Sequence, residues 1–144
     1  MKASWLRPGF VRAVAMAVVM AICVCGIAPA WAVTSATQPI TRTLLERRPI
    51  PGTDQEMQLI LVVFQPGAAS PLHHHPVAGL SYIIEGTAES AYGNDPPKLY
   101  HTGDTLQDLA NVPHTIFRNP DQRKPLRFLI FTNLRADQSY LIVP

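Results

Sequence analysis

The sequence predicts a small all-β domain, a sandwich or jelly-roll barrel. Three observations carry that prediction. Twelve of the fourteen prolines lie beyond residue 32 and punctuate the chain at short intervals, among them Pro66, Pro71, Pro76, Pro96, Pro97, Pro113, Pro120 and Pro125. No window of about twelve residues there combines helical periodicity with freedom from Pro and Gly, apart from weak candidates near Thr43. The runs between the punctuation are short and rich in β-branched and aromatic residues, as strands require. Eight or nine such strands would fold as two packed sheets with a mouth where inward side chains build a site.

The first clear strand is Met57 to Phe64, so apolar that both its faces are expected to be buried. A short histidine strand follows, Leu72 to His75. Leu80 to Ile84 runs into Glu85-Gly86, and Thr87 to Tyr92 returns from that turn. Gly93-Asn94-Asp95-Pro96-Pro97 is a second turn. Leu99 to His101, Thr105 to Gln107, Thr115 to Arg118 and Leu126 to Thr132 are further strands, with Gly103-Asp104 turning between the first two. Tyr140 to Val143 is expected as a last edge strand or as an arm laid against a partner chain, which would build a homodimer. Phe64, Phe117, Phe128, Leu129, Ile130 and Phe131 read as core.

The N-terminus belongs to a different class of segment. Lys2, Arg7 and Arg12 precede a charge-free apolar run, Val14 to Ile27, and Ala30-Trp31-Ala32 places small residues at the positions a signal peptidase reads. Residues 1–32 are expected to be a cleaved secretory signal, because the run is short for a span of ~20 residues. The mature chain would be secreted or periplasmic, with no stable membrane anchor. Residues 33–55 are expected as a leader and arm, and residues 56–144 as the barrel. Both cysteines, Cys23 and Cys25, fall in the signal. The mature domain therefore has neither a disulfide nor a thiolate ligand. Without Lys2, Arg7 and Arg12, nine basic residues face ten acidic ones. No basic surface is implied, and nucleic-acid binding has no support.

The chemistry is concentrated in His73-His74-His75 and in His114, about forty residues later. Successive side chains of a strand alternate between faces, so His73 and His75 point together while His74 points away. Two imidazoles on one face, with a third from a distant strand, can hold a divalent transition metal and leave positions free. Iron, manganese, nickel, copper and zinc all accept such a donor set. No Ser-His-Asp arrangement, phosphate-cradling glycine loop or H-E-x-x-H helix competes with this reading.

These residues resemble the two motifs of the cupin superfamily. Gly67, five residues, His73-His74-His75 and Gly86 match the first, with Tyr82-Ile83-Ile84-Glu85-Gly86 as its ending. Gly79 stands where that motif has a glutamate. Gly103-Asp104 and His114 match the second. There Leu109 replaces a proline, Asn111 replaces a glycine, and Asn119 falls one residue late. The resemblance spans roughly Met57 to Thr132. It implies a cupin-type double-stranded β-helix, a jelly-roll barrel, with His73, His75 and His114 as metal ligands and no carboxylate ligand.

If the strand alternation is regular, Ser81 and Ile83 share the inward face of Gly79. Ile116 and Arg118 likewise share that of His114, and the four would line a substrate pocket in which Arg118 pairs with an anion. Glu85 and Asp104 read as turn residues, Tyr82 as packing, and His101 as solvated. Two functions fit. One is a metal-dependent oxygenase, dioxygenase-like, acting on a small organic molecule; the other is a non-catalytic cupin that binds or senses a metal or small-molecule ligand.

Overall fold

The computed structural model describes residues 38–144. The expected signal peptide and the first residues of the leader lie outside them. Eight strands follow in order: β1 Ile40–Pro49, β2 Gln55–Phe64, β3 Gly79–Glu85, β4 Thr87–Tyr92, β5 Lys98–His101, β6 Thr105–Asp108, β7 His114–Arg118 and β8 Leu126–Arg135. They form a five-stranded sheet of order β1-β2-β8-β3-β6 and a three-stranded sheet of order β5-β4-β7. The named ladders are antiparallel throughout.

The core lies between the sheets, where Val62, Phe64, Ile83, Leu106, Leu126 and Phe128 meet Ala88 and Phe117. Phe117 joins the two layers. Its ring meets Phe64 edge-on at 5.4 Å and Phe128 at 5.2 Å between centroids, a favoured aromatic geometry. Alternation along β8 buries Leu126, Phe128, Ile130, Thr132 and Leu134 and turns Arg127, Phe131, Asn133 and Arg135 outward. Phe131, expected in the core, is therefore 45% exposed. β2 differs from expectation in the same way. Val62 and Phe64 are buried, but Leu59, Leu61 and Val63 on its other face are only half-buried.

The largest difference is β1. Residues expected as leader and arm contain a ten-residue edge strand, paired with β2 from Ile40–Phe64 to Pro49–Glu56. Its side chains are almost all exposed, so it lacks the apolar alternation that marks a strand. A bulge at Leu44/Glu46, together with Arg42, Arg47, Arg48 and Pro49, blunts the free edge.

Turn chemistry fixes the corners. Gly86 has φ +86, and a Cβ there would meet the Pro125 carbonyl oxygen at 2.5 Å. Asn111, in the place of a motif glycine, adopts φ 57, the left-handed region that Asn tolerates best after Gly. Asn119 is 1% exposed. Its Nδ2 donates to the carbonyls of Gln65 and Lys124 at 3.2 and 2.8 Å, and its Oδ1 accepts from the Asp121 amide at 3.1 Å. The loop into β8 is thereby tied to the end of β2.

Leu126 is fully buried between the layers. Leu126→Ala is expected to cost about 2–5 kcal/mol of unfolding free energy, read from urea denaturation; a loss below about 1 kcal/mol would contradict this packing.

Candidate metal centre

The histidine segment is a clamped extended stretch, not a regular strand. Single bridges link His73 to His114, His74 to Ile142 and His75 to Ala110. On one side the His114 and Asn111 amides donate to the carbonyls of His73 and His75, each at 2.7 Å. On the other side His74 and Ile142 exchange two backbone bonds of 3.0 Å. The Tyr140 to Val143 segment thus lies along the chain's own histidines. Clamped in this way, His73 and His75 are each 3% exposed and face inward, while His74 faces away half-buried.

His114 arrives from β7 with 2% exposure. One ligand atom from each of His73, His75 and His114 lies within 4.8 Å of the other two, close enough for the three rings to converge on one ion after a small side-chain adjustment. Neighbours fix the rings. His73 Nδ1 donates to the Pro71 carbonyl at 2.8 Å, and His75 Nδ1 donates to the Tyr140 carbonyl at 3.0 Å. Carbonyls only accept, so in both rings Nε2 is left as the free donor atom. His114 Nε2 meets Ser90 Oγ at 2.8 Å, and the ring stacks on Tyr92 with centroids 3.9 Å apart. Two buried side-chain atoms have no hydrogen-bond partner among the described residues, His75 Nε2 and His114 Nδ1. Unpaired buried nitrogens on adjacent imidazoles fit a metal.

Burial also lowers the proton affinity of the cluster. It pulls His73 below the usual histidine value, against the Pro71 carbonyl bond and with help from His75 and Arg42. It pulls His114 down to about 3, with repulsion from His73 and His75 adding to the effect. A metal needs the unprotonated ring, so both rings are in the form that ligates.

The cavity beside the histidines is also lined by Val62, Phe64, Phe117, Phe128, Arg42 and Asp108, with Tyr140 and Leu141 closing one side. Its volume, measured to the centre of a water-sized sphere, is about 20 Å³; one water needs roughly 10–15 Å³. Asp108 is 4% exposed. It accepts hydrogen bonds from the hydroxyls of Tyr140, Tyr92 and Ser81 at 2.6, 3.0 and 3.3 Å. Burial and the adjacent Asp108 push both tyrosines well above the ordinary phenol value, so they remain donors.

Of the four residues expected to line a substrate pocket, only Ser81 approaches this centre, through Asp108. Ile83 points inward but is wholly enclosed in the core. Ile116 and Arg118 are on the other side of β7. The ladder pairs Tyr92 with His114 and Ala91 with Ile116, so Thr115 is the extra residue of a bulge and inverts the alternation after it. Phe117 therefore shares the inner side with His114, and Arg118 pairs outside with Glu89 at 2.6 Å. Glu85 and His101 are exposed. Asp104 holds its turn by accepting from the His101 amide at 2.7 Å. Tyr82, read as packing, is 48% exposed.

Sequence reasoning missed Arg42, Asp108 and Tyr140. Asp108 had a visible signal: it alternates in phase with Leu106, placing an acid on the apolar face of a strand. Arg42 and Tyr140 had none, because their positions depend on how the two ends of the domain pack.

The lowered histidines fix the sign of a pH effect. In the unfolded chain both titrate near about 6.5. Below that pH the unfolded chain binds protons that the folded chain refuses. The stability contributed by these rings is thus complete above about pH 6.5 and falls below it, for His114 down to about pH 3, by up to ~1.4 kcal/mol per pH unit for one such histidine. The urea midpoint of the metal-free protein is expected to fall between pH 7 and pH 5, and less steeply in His114→Gln. A wild-type midpoint that is flat over this range would contradict the burial of these rings.

The family described as Cupin domain matches residues 60–132. Among solved structures, a cupin-2 domain protein from Rhodospirillum rubrum aligns with TM-score 0.56 and 22% identity, covering 74% of this chain and 66% of that one. A DMSP lyase from Ruegeria pomeroyi aligns with TM-score 0.53 and 23% identity over 63% of this chain. The match spans 44% of the lyase, less than half its length. A Cupin 2 conserved barrel domain protein from Salinispora arenicola aligns with TM-score 0.50 and 19% identity, covering 64% of this chain and 74% of that one. At these identities the likeness is one of fold. No curated protein matches the chain. With the family match spanning half of the sequence and both sheets placed as described, the chain belongs to the cupin domain family.

Proposed function

We propose that this chain is an exported cupin that holds one divalent transition metal through His73, His75 and His114, and that it transforms a small organic anion by dioxygenase-type chemistry. The observation that carries the reading is the pair of buried, unpartnered nitrogens, His75 Nε2 and His114 Nδ1, beside His73. Iron, manganese, nickel, copper or zinc fits this donor set. Bound there, a redox-active ion supplies Lewis acidity and open positions for oxygen and a substrate donor atom.

The chain's own residues do the rest. The carbonyls of Pro71 and Tyr140 and the hydroxyl of Ser90 orient the rings. Phe64, Phe117, Phe128 and Val62 give the pocket an apolar wall. Arg42 of β1 lines the same pocket and has no ion-pair partner among the described residues. It takes the anion-binding role that Arg118, paired with Glu89, does not offer. The signal-like segment 1–32 supports export.

A second reading, a non-catalytic module that binds or senses a metal or small ligand, is favoured by the size of the cavity. About 20 Å³ matches an ion or a water more closely than an organic molecule.

One experiment separates these readings. The chain, isolated from the periplasm without a polyhistidine tag, is expected to carry about one metal ion by elemental mass spectrometry, lost in His75→Ala and His114→Ala. The loaded protein is expected to consume oxygen with a small phenol, diketone or carboxylate. Arg42→Gln is expected to raise KM for the anionic compounds roughly tenfold, the weight of one charge-assisted hydrogen bond. Metal with tight ligand binding and no turnover would select the second reading. No metal, even after reloading with excess divalent ions, would overturn both.

A further inference from the structure

Gly79 and Asp108 are Cα partners in the β3–β6 ladder. A Cβ built on Gly79 would collide with the Tyr140 hydroxyl and would stand 3.4 Å from Asp108 Oδ2. The space that a side chain at position 79 would enter is therefore filled from two other directions. β6 sends a carboxylate into it, and the C-terminal segment sends the phenol that holds that carboxylate.

The surroundings of Asp108 suit a carboxylate. Three hydroxyls donate to it, from Tyr140, Tyr92 and Ser81. The 2.6 Å bond from Tyr140 has the length of an O–H donor on an ionised oxygen. An ionised carboxylate, which only accepts, is satisfied by three hydroxyl donors. No Lys or Arg pairs with Asp108 among the described residues. Three neutral hydroxyls leave its net charge uncancelled, and a cation or metal ion nearby stabilises a buried charge further. The groups facing Asp108 across the cavity are the three histidines and, at its edge, Arg42. Its field reaches His73, where it favours positive charge.

We propose that Asp108 is the charge-balancing carboxylate of the metal centre, delivered across the ladder from Gly79 and held by Tyr140, Tyr92 and Ser81. This rests on the metal reading above. Asp108 is not among the side chains whose ligand atoms lie within 4.8 Å of one another, so it is a positioning and electrostatic residue outside the three nitrogens. Imidazole ligands bring no negative charge to a divalent cation, and Asp108 brings one.

The test is zinc affinity, measured by competition with a chromophoric chelator, together with the thermal midpoint of each metal-free protein. Asp108→Asn keeps the volume and a carbonyl acceptor but removes the charge. Its dissociation constant for zinc is expected to rise about 10–100-fold at unchanged stoichiometry, the size of outer-shell effects. Asp137→Asn removes the same charge from a side chain that is 80% exposed and is expected to bind zinc as the wild type does. If Asp108→Asn does not fold, Asp108→Ser, which leaves a hydroxyl in the network, carries the same expectation. A variant with a lowered thermal midpoint but wild-type zinc affinity would make Asp108 purely structural and overturn the inference, leaving the three-histidine site intact. A wild-type chain that binds no zinc would overturn the site itself and the inference with it.

Discussion

The structure turns on the cost of placing three imidazoles at one edge of an apolar core. A polar nitrogen there must find a partner or stay exposed to a penalty of about 1–3 kcal/mol. The fold supplies a partner for the outward nitrogen of each ring: the Pro71 carbonyl, the Tyr140 carbonyl and the Ser90 hydroxyl. It leaves two inward nitrogens with none. Much of the local architecture follows. The C-terminal segment must lie along His74 to present the Tyr140 carbonyl. The bulge at Thr115 must re-aim β7 so that His114 and Phe117 share its inner side. The loop at Asn111 must turn through positive φ so that its amide reaches His75.

The same segment that satisfies His75 also limits access. Tyr140 lies tilted against that ring, 4.5 Å between centroids, while its hydroxyl binds Asp108. One residue thus orients a ligand, fixes a buried charge and closes the cavity. Arg42 reaches the pocket from the opposite end of the domain, on an edge strand whose side chains are mostly exposed. The site is therefore assembled from both termini of the described fold around the histidines at its centre.

Much of this was legible in the sequence because its signals are local. Prolines and glycines delimit β3 to β8 to within three residues of the observed ends, since turn chemistry is written in the residues that make the turn. His73 and His75 share a face because alternation needs only their spacing. What was not legible depends on pairing. β1 reads as polar leader because an edge strand is held by its neighbour's backbone, not by its own apolar face. Arg118 was misplaced because a one-residue bulge leaves no mark in composition, yet inverts every side chain after it. Phe131 was counted as core because hydrophobicity alone does not say which sheet face is covered. Gly79 could be read as a lost carboxylate, but Asp108 as its cross-strand neighbour required the β3–β6 register.

The central claim is that three imidazoles from the clamped histidine segment and β7 form one metal centre. The most direct test is X-ray absorption at the metal edge of the loaded, untagged chain. The account predicts nitrogen scatterers at about 2.0–2.1 Å, with the outer-shell scattering of three imidazole rings. A first shell of oxygen alone, or a spectrum without imidazole scattering, would contradict it.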